Sequence, residues 1–347
     1  PNPMVGCVLV QADTFVGEGY HQRFGGPHAE ACALQQAGER ALGATAYVSL
    51  EPCCHHGKTP PCSEALIDAG VARVVIAMAD PFPQVDHGGI QQLQDAGIEV
   101  TIGVLEDAAR ELNAPYLKLV ETGRPWVIAK WAMTLDGRIA SRTGSSQWIS
   151  GAASRAVVHQ LRGRMDAIIV GRGTAVADDP LLTARLPDSQ PPPRVATRVV
   201  FDSRASLSPT SKLVQTAQEA PVMVVAGPDA PPERVTQLDS AGCEVLQCES
   251  SDRAAMREAL LRELGVRRMT NVLIEGGAEL LGDFFDGGDV DEIHTFVAPK
   301  IIGGKDAPPP IQGAGIAAMS NARRLRNVSI EQIADDLYIH GRVDRSV

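Results

Sequence analysis

Short apolar runs rich in valine alternate, through the first third of the chain, with stretches whose apolar positions recur every three or four residues. VGCVLV, ATAYVSL, ARVVIAM and IEVTIG have the length and β-branched content of strands, and HAEACALQQAG and CSEALIDAG have the spacing of helices. Strands alternating with helices predict a layered α/β domain. EDAARELNAPYLKLVETGRP predicts a closing helix that runs into a Gly-Arg-Pro break, after which WVIAKWAM begins a new strand. The boundary is therefore expected near Gly123, giving domains over 1–123 and 124–347. The second part repeats the alternation through DAIIVG, RVVFDS, PVMVVAG, CEVLQC, NVLIEGG and EIHTFVAPKIIGG, with helical segments such as DRAAMREALLREL between them. SQPPPR, DAPPER and APPPIQ predict surface loops, because proline fixes φ and removes a ladder donor.

At 347 residues the chain is long enough for two domains that each bury a core. No apolar run approaches the roughly 20 residues that span a bilayer, so no membrane segment is expected. A formal net charge of -10, without blocks of Lys or Arg, argues against nucleic acid as a partner and favours a small substrate. Of seven cysteines, five precede residue 63, and their spacing suggests metal binding in a reducing cytoplasm rather than a disulfide framework. The chain opens at Pro1 rather than a methionine, so a targeting signal ahead of it would not be seen, and cytoplasmic localisation is expected on the cysteine chemistry alone.

The chemistry concentrates in GGPHAEACAL and EPCCHHGKTPPC. Catalytic zinc keeps one coordination position open and takes three protein ligands. His28, Cys53 and Cys62 are the candidates, with Glu30 beside them as the proton-carrying group. Residues two apart do not share a helix face, so His28 and Glu30 can serve one site only from a first helical turn. H-x-E followed by a Pro-Cys and a later Cys is the zinc deaminase arrangement, with the Glu off the metal; here the cysteines are spaced more widely, as C-x8-C. Cys62 opens a helical pattern, where the dipole favours a thiolate. Zinc can lower the pKa of bound water to about 7, which makes hydrolysis available at neutral pH. A closed structural zinc would add Cys54 or His55 as a ligand, but it would have no use for H-x-E. Cys54, His55 and His56 are expected in the loop or the substrate pocket, Cys243 and Cys248 in strand packing, and His159 and His294 in structural roles.

PNPMVGCVLV, GEGYHQRFGGPHAE, VSLEPCCHHGKTPPC and AGVARVVIAMADPFPQV resemble the deaminase half of the bifunctional deaminase-reductases of riboflavin biosynthesis. AKWAMTLDGRIA, GSSQWIS, GRGTAVADDPLLTARL, VFDS and LIEGGAELLGDF resemble the reductase half, so the likeness covers the whole chain. It implies two layered α/β/α domains, the first cytidine-deaminase-like and the second dihydrofolate-reductase-like. The implied reaction is hydrolytic deamination of a pyrimidinone ribosylamine phosphate, then reduction of its ribose to a ribityl chain, with Zn²⁺ and NADPH as cofactors. A homo-oligomer, dimer or tetramer, is also expected.

By the same resemblance Asn2 and His21 line the deaminase pocket. Ala132, Trp148, Thr174, Asp178, Ser203 and the run Gly277, Ala278, Glu279, Leu280, Leu281, Gly282 and Asp283 contact NADPH. Lys130, Ser146, Ser150, Arg162, Leu182, Arg185 and Glu275 contact substrate. The residues make sense unaided: VLIEGGAELLGDFF reads as a strand, two glycines and a helix, which lets backbone N–H groups approach a pyrophosphate. Arg162 and Arg185 can pair a sugar phosphate, and Lys130 and Glu275 can orient a ribose for hydride attack. GAGIAA follows a Pro-rich loop rather than a strand, so a Rossmann fingerprint is rejected. One stretch departs from the family pattern D-P-N-P-x-V-x-G-[KR]-G: DPFPQVDHGG has Phe82 for Asn and Gly88 for the basic residue, which predicts weaker substrate binding by the deaminase.

Overall fold

The computed structural model describes residues 3–22, 25–56, 60–83, 85, 87–186, 192 and 194–345. The chain divides into two compact units, Pro1–Gly123 and Arg124–Val347. Among the described residues, no helix is long and apolar enough to cross a membrane.

The first unit holds a five-stranded sheet in the order β2-β1-β3-β4-β5. β1 (Gly6–Gln11) and β2 (Thr14–Tyr20) form an antiparallel hairpin, while β3 (Thr45–Val48), β4 (Arg73–Ile76) and β5 (Glu99–Ile102) run parallel to one another. The hairpin turn is Ala12-Asp13, with φ of 47° and 61°. Both residues thus take the left-handed conformation that matches strand twist in two-residue turns. Ala-Asp is not the usual sequence for such a turn, and the pattern reading gave β1 without β2. Against β2 lies α1 (Ala29–Ala37), with Ala29, Ala33 and Ala37 buried. The approach is backbone on backbone: a Cβ on Gly17 would stand 2.4 Å from the Ala33 carbonyl oxygen, and one on Gly19 2.2 Å from that of Ala29. Only glycine fits there, and its absence of side chain fixes where α1 begins. The expected single closing helix is instead two, α4 (Glu106–Leu112) and α5 (Ala114–Thr122). Pro115 cannot sit inside a continuous helix, and Asn113 at the junction is pinned by bonds to the Met4 amide and carbonyl, at 2.7 and 3.1 Å. α5 ends on Gly123 at φ 68°, a left-handed helix stop.

The second unit holds a nine-stranded sheet in the order β10-β9-β8-β7-β11-β6-β12-β14-β13. From β6 (Trp126–Thr134) the chain passes to β7 (Ala167–Gly171), β8 (Thr197–Phe201), β9 (Val222–Ala226) and β10 (Glu244–Gln247). β11 (Asn271–Glu275) then returns between β6 and β7, parallel to both. β8 and β9 are buried along their whole length, as strands covered on both faces must be. β12 (Glu292–Ala298), β14 (Asp336–Val343) and β13 (Leu325–Ile333) complete the sheet with antiparallel pairs. α10 (Arg253–Val266) and α11 (Ala278–Asp286) pack Leu260, Leu264, Leu281 and Phe284 onto Ile169, Val199, Val225 and Ile274. DAPPER is not wholly loop: α9 (Pro232–Ser240) starts inside it, because proline is well suited to a first helical turn, whose N–H groups lack partners anyway. SQPPPR lies mostly outside the described residues.

Candidate active sites

His28 is the N-cap of α1 and Glu30 lies in its first turn, so both side chains leave the same helix start. Cys62 is the first residue of α2 (Cys62–Asp68). The loop carrying Cys53 folds back onto that start: its carbonyl accepts from the Ser63 amide and hydroxyl at 3.2 and 3.0 Å, and its sulfur accepts from the Cys62 amide at 3.4 Å. His28 Nδ1 then stands 3.2 Å from Cys62 Sγ and 3.5 Å from Cys53 Sγ, with all three ligand atoms within 4.8 Å of one another. Tetrahedral zinc with bonds of about 2.0–2.3 Å puts neighbouring ligand atoms roughly 3.4–3.8 Å apart, so the donors fit the ion in both type and spacing. Cys54 is outside the cluster, its sulfur 3.8 Å from the Val85 carbonyl.

Charge in this cluster is finely divided. Burial raises the carboxyl of Glu30 above its ordinary range, and nearby Cys53 adds to the rise. The Cys53 thiol is lowered to about 4, chiefly by a hydrogen bond from Cys62, while the same bond and burial raise Cys62. One proton therefore leaves the thiol pair readily, and a bound dication favours loss of the other. The hydrogen bond to Cys53 raises His28. His21 sits edge-on to His28 at 5.5 Å, its Nδ1 3.0 Å from the Pro27 carbonyl. Asn2 lies outside the described residues.

Sequence reasoning missed the carboxylates behind this cluster. Buried Glu51 accepts from the amides of Gly89 and Ile90 at 3.1 and 3.2 Å, which holds the start of α3 (Gly88–Asp95), and from Asp80 at 3.2 Å. Asp80 in turn accepts from the Phe82 amide and the Tyr116 hydroxyl, at 3.0 and 2.8 Å. A Cβ on Gly88 would meet Cys54 Sγ at 2.7 Å, so a basic residue there would have to displace Cys54.

The second unit has a cleft of about 1200 Å³ where the loops after β6, β7, β8 and β11 converge, the position at which parallel sheets with reversed strand order bind ligands. Glu275, the last residue of β11, is buried at its floor. Arg162, at the end of α6 (Ala152–Arg162), grips it with two bonds of 2.6 and 2.8 Å, and Lys130 Nζ stands 3.7 Å away. Burial opposes ionisation of Glu275, but the charges of Arg162 and Lys130 outweigh it and hold the carboxyl at about 2. α6 itself is fixed at its other end by Asp336, which accepts from the Gly151 amide at 2.7 Å and the Ser154 hydroxyl at 2.6 Å. Gly276 and Gly277 follow Glu275 at φ of 73° and 80° and lead into α11, turning its first N–H groups toward the cleft.

Lys130, Ala132, Ser146, Arg162, Thr174, Asp178, Leu182, Ser203, Glu275 and residues 277–281 all line this cleft. Trp148, Ser150, Arg185, Gly282 and Asp283 are not among the lining residues. Trp148 is 62% exposed, with the Arg155 guanidinium 4.4 Å over its ring. The Ser150 carbonyl accepts from Arg155 at 2.8 Å, and the Arg185 amide donates to His159 at 3.3 Å. Gly282 is pressed against Gln312, and Asp283 bonds Arg253 at 2.6 Å. Arg172, Arg204, Arg234 and Arg253 line the cleft near Ser203, Ser206 and Ser251. The first two follow glycine and serine of motifs already in view; Arg234 and Arg253 come from α9 and α10 and carry no local signal.

The family model for the RibD C-terminal domain matches residues 125–339, and that for the cytidine and deoxycytidylate deaminase zinc-binding region matches residues 1–78. Riboflavin biosynthesis protein RibD of Actinobacillus pleuropneumoniae is 41% identical over 98% of this chain and 89% of its own length. The chain belongs to the RibD family. RibD of Escherichia coli K12 is 40% identical over 98% of this chain and 93% of that protein. A solved RibD structure from Acinetobacter baumannii superimposes with a TM-score of 0.87 at 40% identity, covering 99% of this chain and 93% of that one. As a RibD-family protein it is a bifunctional enzyme of riboflavin biosynthesis, a zinc-dependent deaminase and an NADPH-dependent reductase.

Proposed function

We propose that unit Pro1–Gly123 carries the deaminase and unit Arg124–Val347 the reductase, with His28, Cys53 and Cys62 holding zinc and Glu30 moving the proton. The observation that carries this is the tight His/Cys/Cys cluster beside a buried carboxyl. When bound, zinc supplies a water activated at neutral pH and NADPH supplies the hydride. Glu30, its pKa raised by burial, is suited to take the proton of the attacking water and pass it to the departing amino nitrogen. His21 and Asn2 are assigned to the pyrimidine pocket.

In the reductase cleft, the Gly276-Gly277 turn and the start of α11 receive the pyrophosphate of NADPH, with Ala132, Trp148, Thr174, Asp178, Ser203 and the run from Gly277 to Asp283 on the cofactor side. Arg172 and Arg204 beside Ser203 supply charge for a 2′-phosphate. Lys130, Ser146, Ser150, Arg162, Leu182, Arg185 and Glu275 form the substrate side. Glu275, kept ionised, orients the ribosyl hydroxyls, and Lys130 can donate a proton to the opening ribose. Arg162 already spends its fork on Glu275, which leaves the substrate phosphate to Arg185. Exposed Val328 and Ile330 on β13, at the sheet's edge, support a homo-oligomer, testable by sedimentation. Seven disulfide-free cysteines support a cytoplasmic setting.

The test is mass analysis of the diaminopyrimidinone ribosylamine phosphate after incubation with the pure protein. Without NADPH one amino group should be exchanged for oxygen, and with it the product should gain two hydrogens. Reduction without prior deamination would overturn the order of the steps.

A further inference from the structure

Leu182 and Arg185 lie in a stretch without regular secondary structure, 179–186. Leu182 is 3% exposed and holds φ 53°, a left-handed conformation that branched side chains rarely adopt. Such a conformation persists only where its surroundings impose it. Here three side chains reach for backbone atoms of the stretch. Buried Arg198 of β8 donates to the Leu181 carbonyl at 3.2 Å, and Arg162 of α6 donates to that of Thr183 at 3.3 Å. One turn earlier on α6, His159 Nδ1 accepts the Arg185 amide at 3.3 Å. Arg198 is anchored to Thr216 and Ala220 as well, and so braces β8 more generally. His159 is aimed at the stretch itself.

We infer that His159 is a positioning residue of the reductase: by holding the backbone at Arg185 it sets the turn that presents Leu182 and Arg185 to the pyrimidine substrate. Accepting through Nδ1 requires the neutral ring. Burial, then the charges of Arg162 and Arg185, lower its pKa and favour that form, with Glu275 acting weakly the other way. The sequence alone suggested only a structural histidine.

The inference rests on the reading that Arg185 serves the substrate, and the experiment separates the two. With full-length protein, deaminated substrate and NADPH, His159→Ala should raise the KM for the pyrimidine roughly ten-fold, as loss of one backbone-directed hydrogen bond would. The kcat and the KM for NADPH should stay within about two-fold. His159→Gln, whose side-chain oxygen can accept from the amide, should restore the KM. Failure of the Gln variant to rescue overturns the role, as does a loss of pyrimidine and NADPH binding together with a lowered melting temperature. Arg185→Ala should raise the same KM. If it does and His159→Ala does not, the positioning role is wrong; if Arg185→Ala changes nothing, the substrate reading fails and takes the inference with it.

Discussion

Glu30 and Glu275 are both buried glutamates, yet their acidities are displaced in opposite directions. Glu30 faces Cys53, whose thiol ionises readily, and desolvation wins; Glu275 faces Arg162 and Lys130, and attraction wins over the same desolvation. The first is therefore a group on which a proton is held more readily than on an ordinary carboxylate, and the second one that stays charged and holds its neighbours still. Their settings differ accordingly. The first cluster is built from two helix starts and a folded-back loop, and the second from two neighbouring parallel strands and the end of a helix. What a carboxyl does here is set by the charges it is buried with, more than by burial.

The sharpest way to break this comparison is Glu30→Gln. Deamination should fall by roughly 10²–10⁴-fold, the usual contribution of a general acid-base group, with zinc content by metal analysis unchanged. Reduction of deaminated substrate should continue at its normal rate; a fall in both activities would show that the two sites do not work separately. Glu275→Gln should act on stability, because it leaves Arg162 and Lys130 buried with their charge uncompensated, at a cost of about 3–5 kcal/mol to the second unit by denaturant titration. The sign with pH follows from a carboxyl lowered from 4.5 to about 2. Its contribution is complete above pH 4.5 and fades as pH falls toward 2, so wild type should lose more stability across that window than Glu275→Gln does. Arg204→Ala should raise the KM for NADPH roughly ten-fold while leaving NADH unaffected; equal losses with both would move the 2′-phosphate elsewhere. Smallest is Phe82→Asn, expected to lower the deaminase KM by a few-fold, since Asn adds donors and an acceptor facing a polar ring. An unchanged KM would mean that Phe82 only packs. Gly88→Lys should give no such gain, because Cys54 occupies the space.

That His28, Cys53 and Cys62 would gather beside Glu30 was legible because their spacing is local and their chemistry narrow. The α/β alternation was legible because buried strands are written as unbroken apolar runs. β2 was hidden by an Ala-Asp turn that carries no glycine or asparagine. β13 was hidden by exposure on both faces, which leaves no alternation to read. Arg162 and Glu275 were each named for the substrate, but the bond between them joins residues 113 apart and has no trace in a linear pattern. The same holds for Gly17 and Gly19: their need for glycine comes from a helix that arrives later in the chain.

Where β11 is inserted also sets an order of events during synthesis. All five strands of the first sheet are complete by Ile102, so that unit can form as soon as it clears the ribosome. The second sheet cannot close: β6 and β7 are joined only through β11, whose Asn271 aligns with Trp126 and whose Val272 aligns with Ala167. Until residue 275 emerges, β6 is a lone apolar strand and the sheet of β7 to β10 waits with an open edge, which is when strands find the wrong partners. A chain cut short before that point would carry a finished deaminase fold tethered to an aggregation-prone remainder, and yield on expression will depend on how quickly the last third follows the first two.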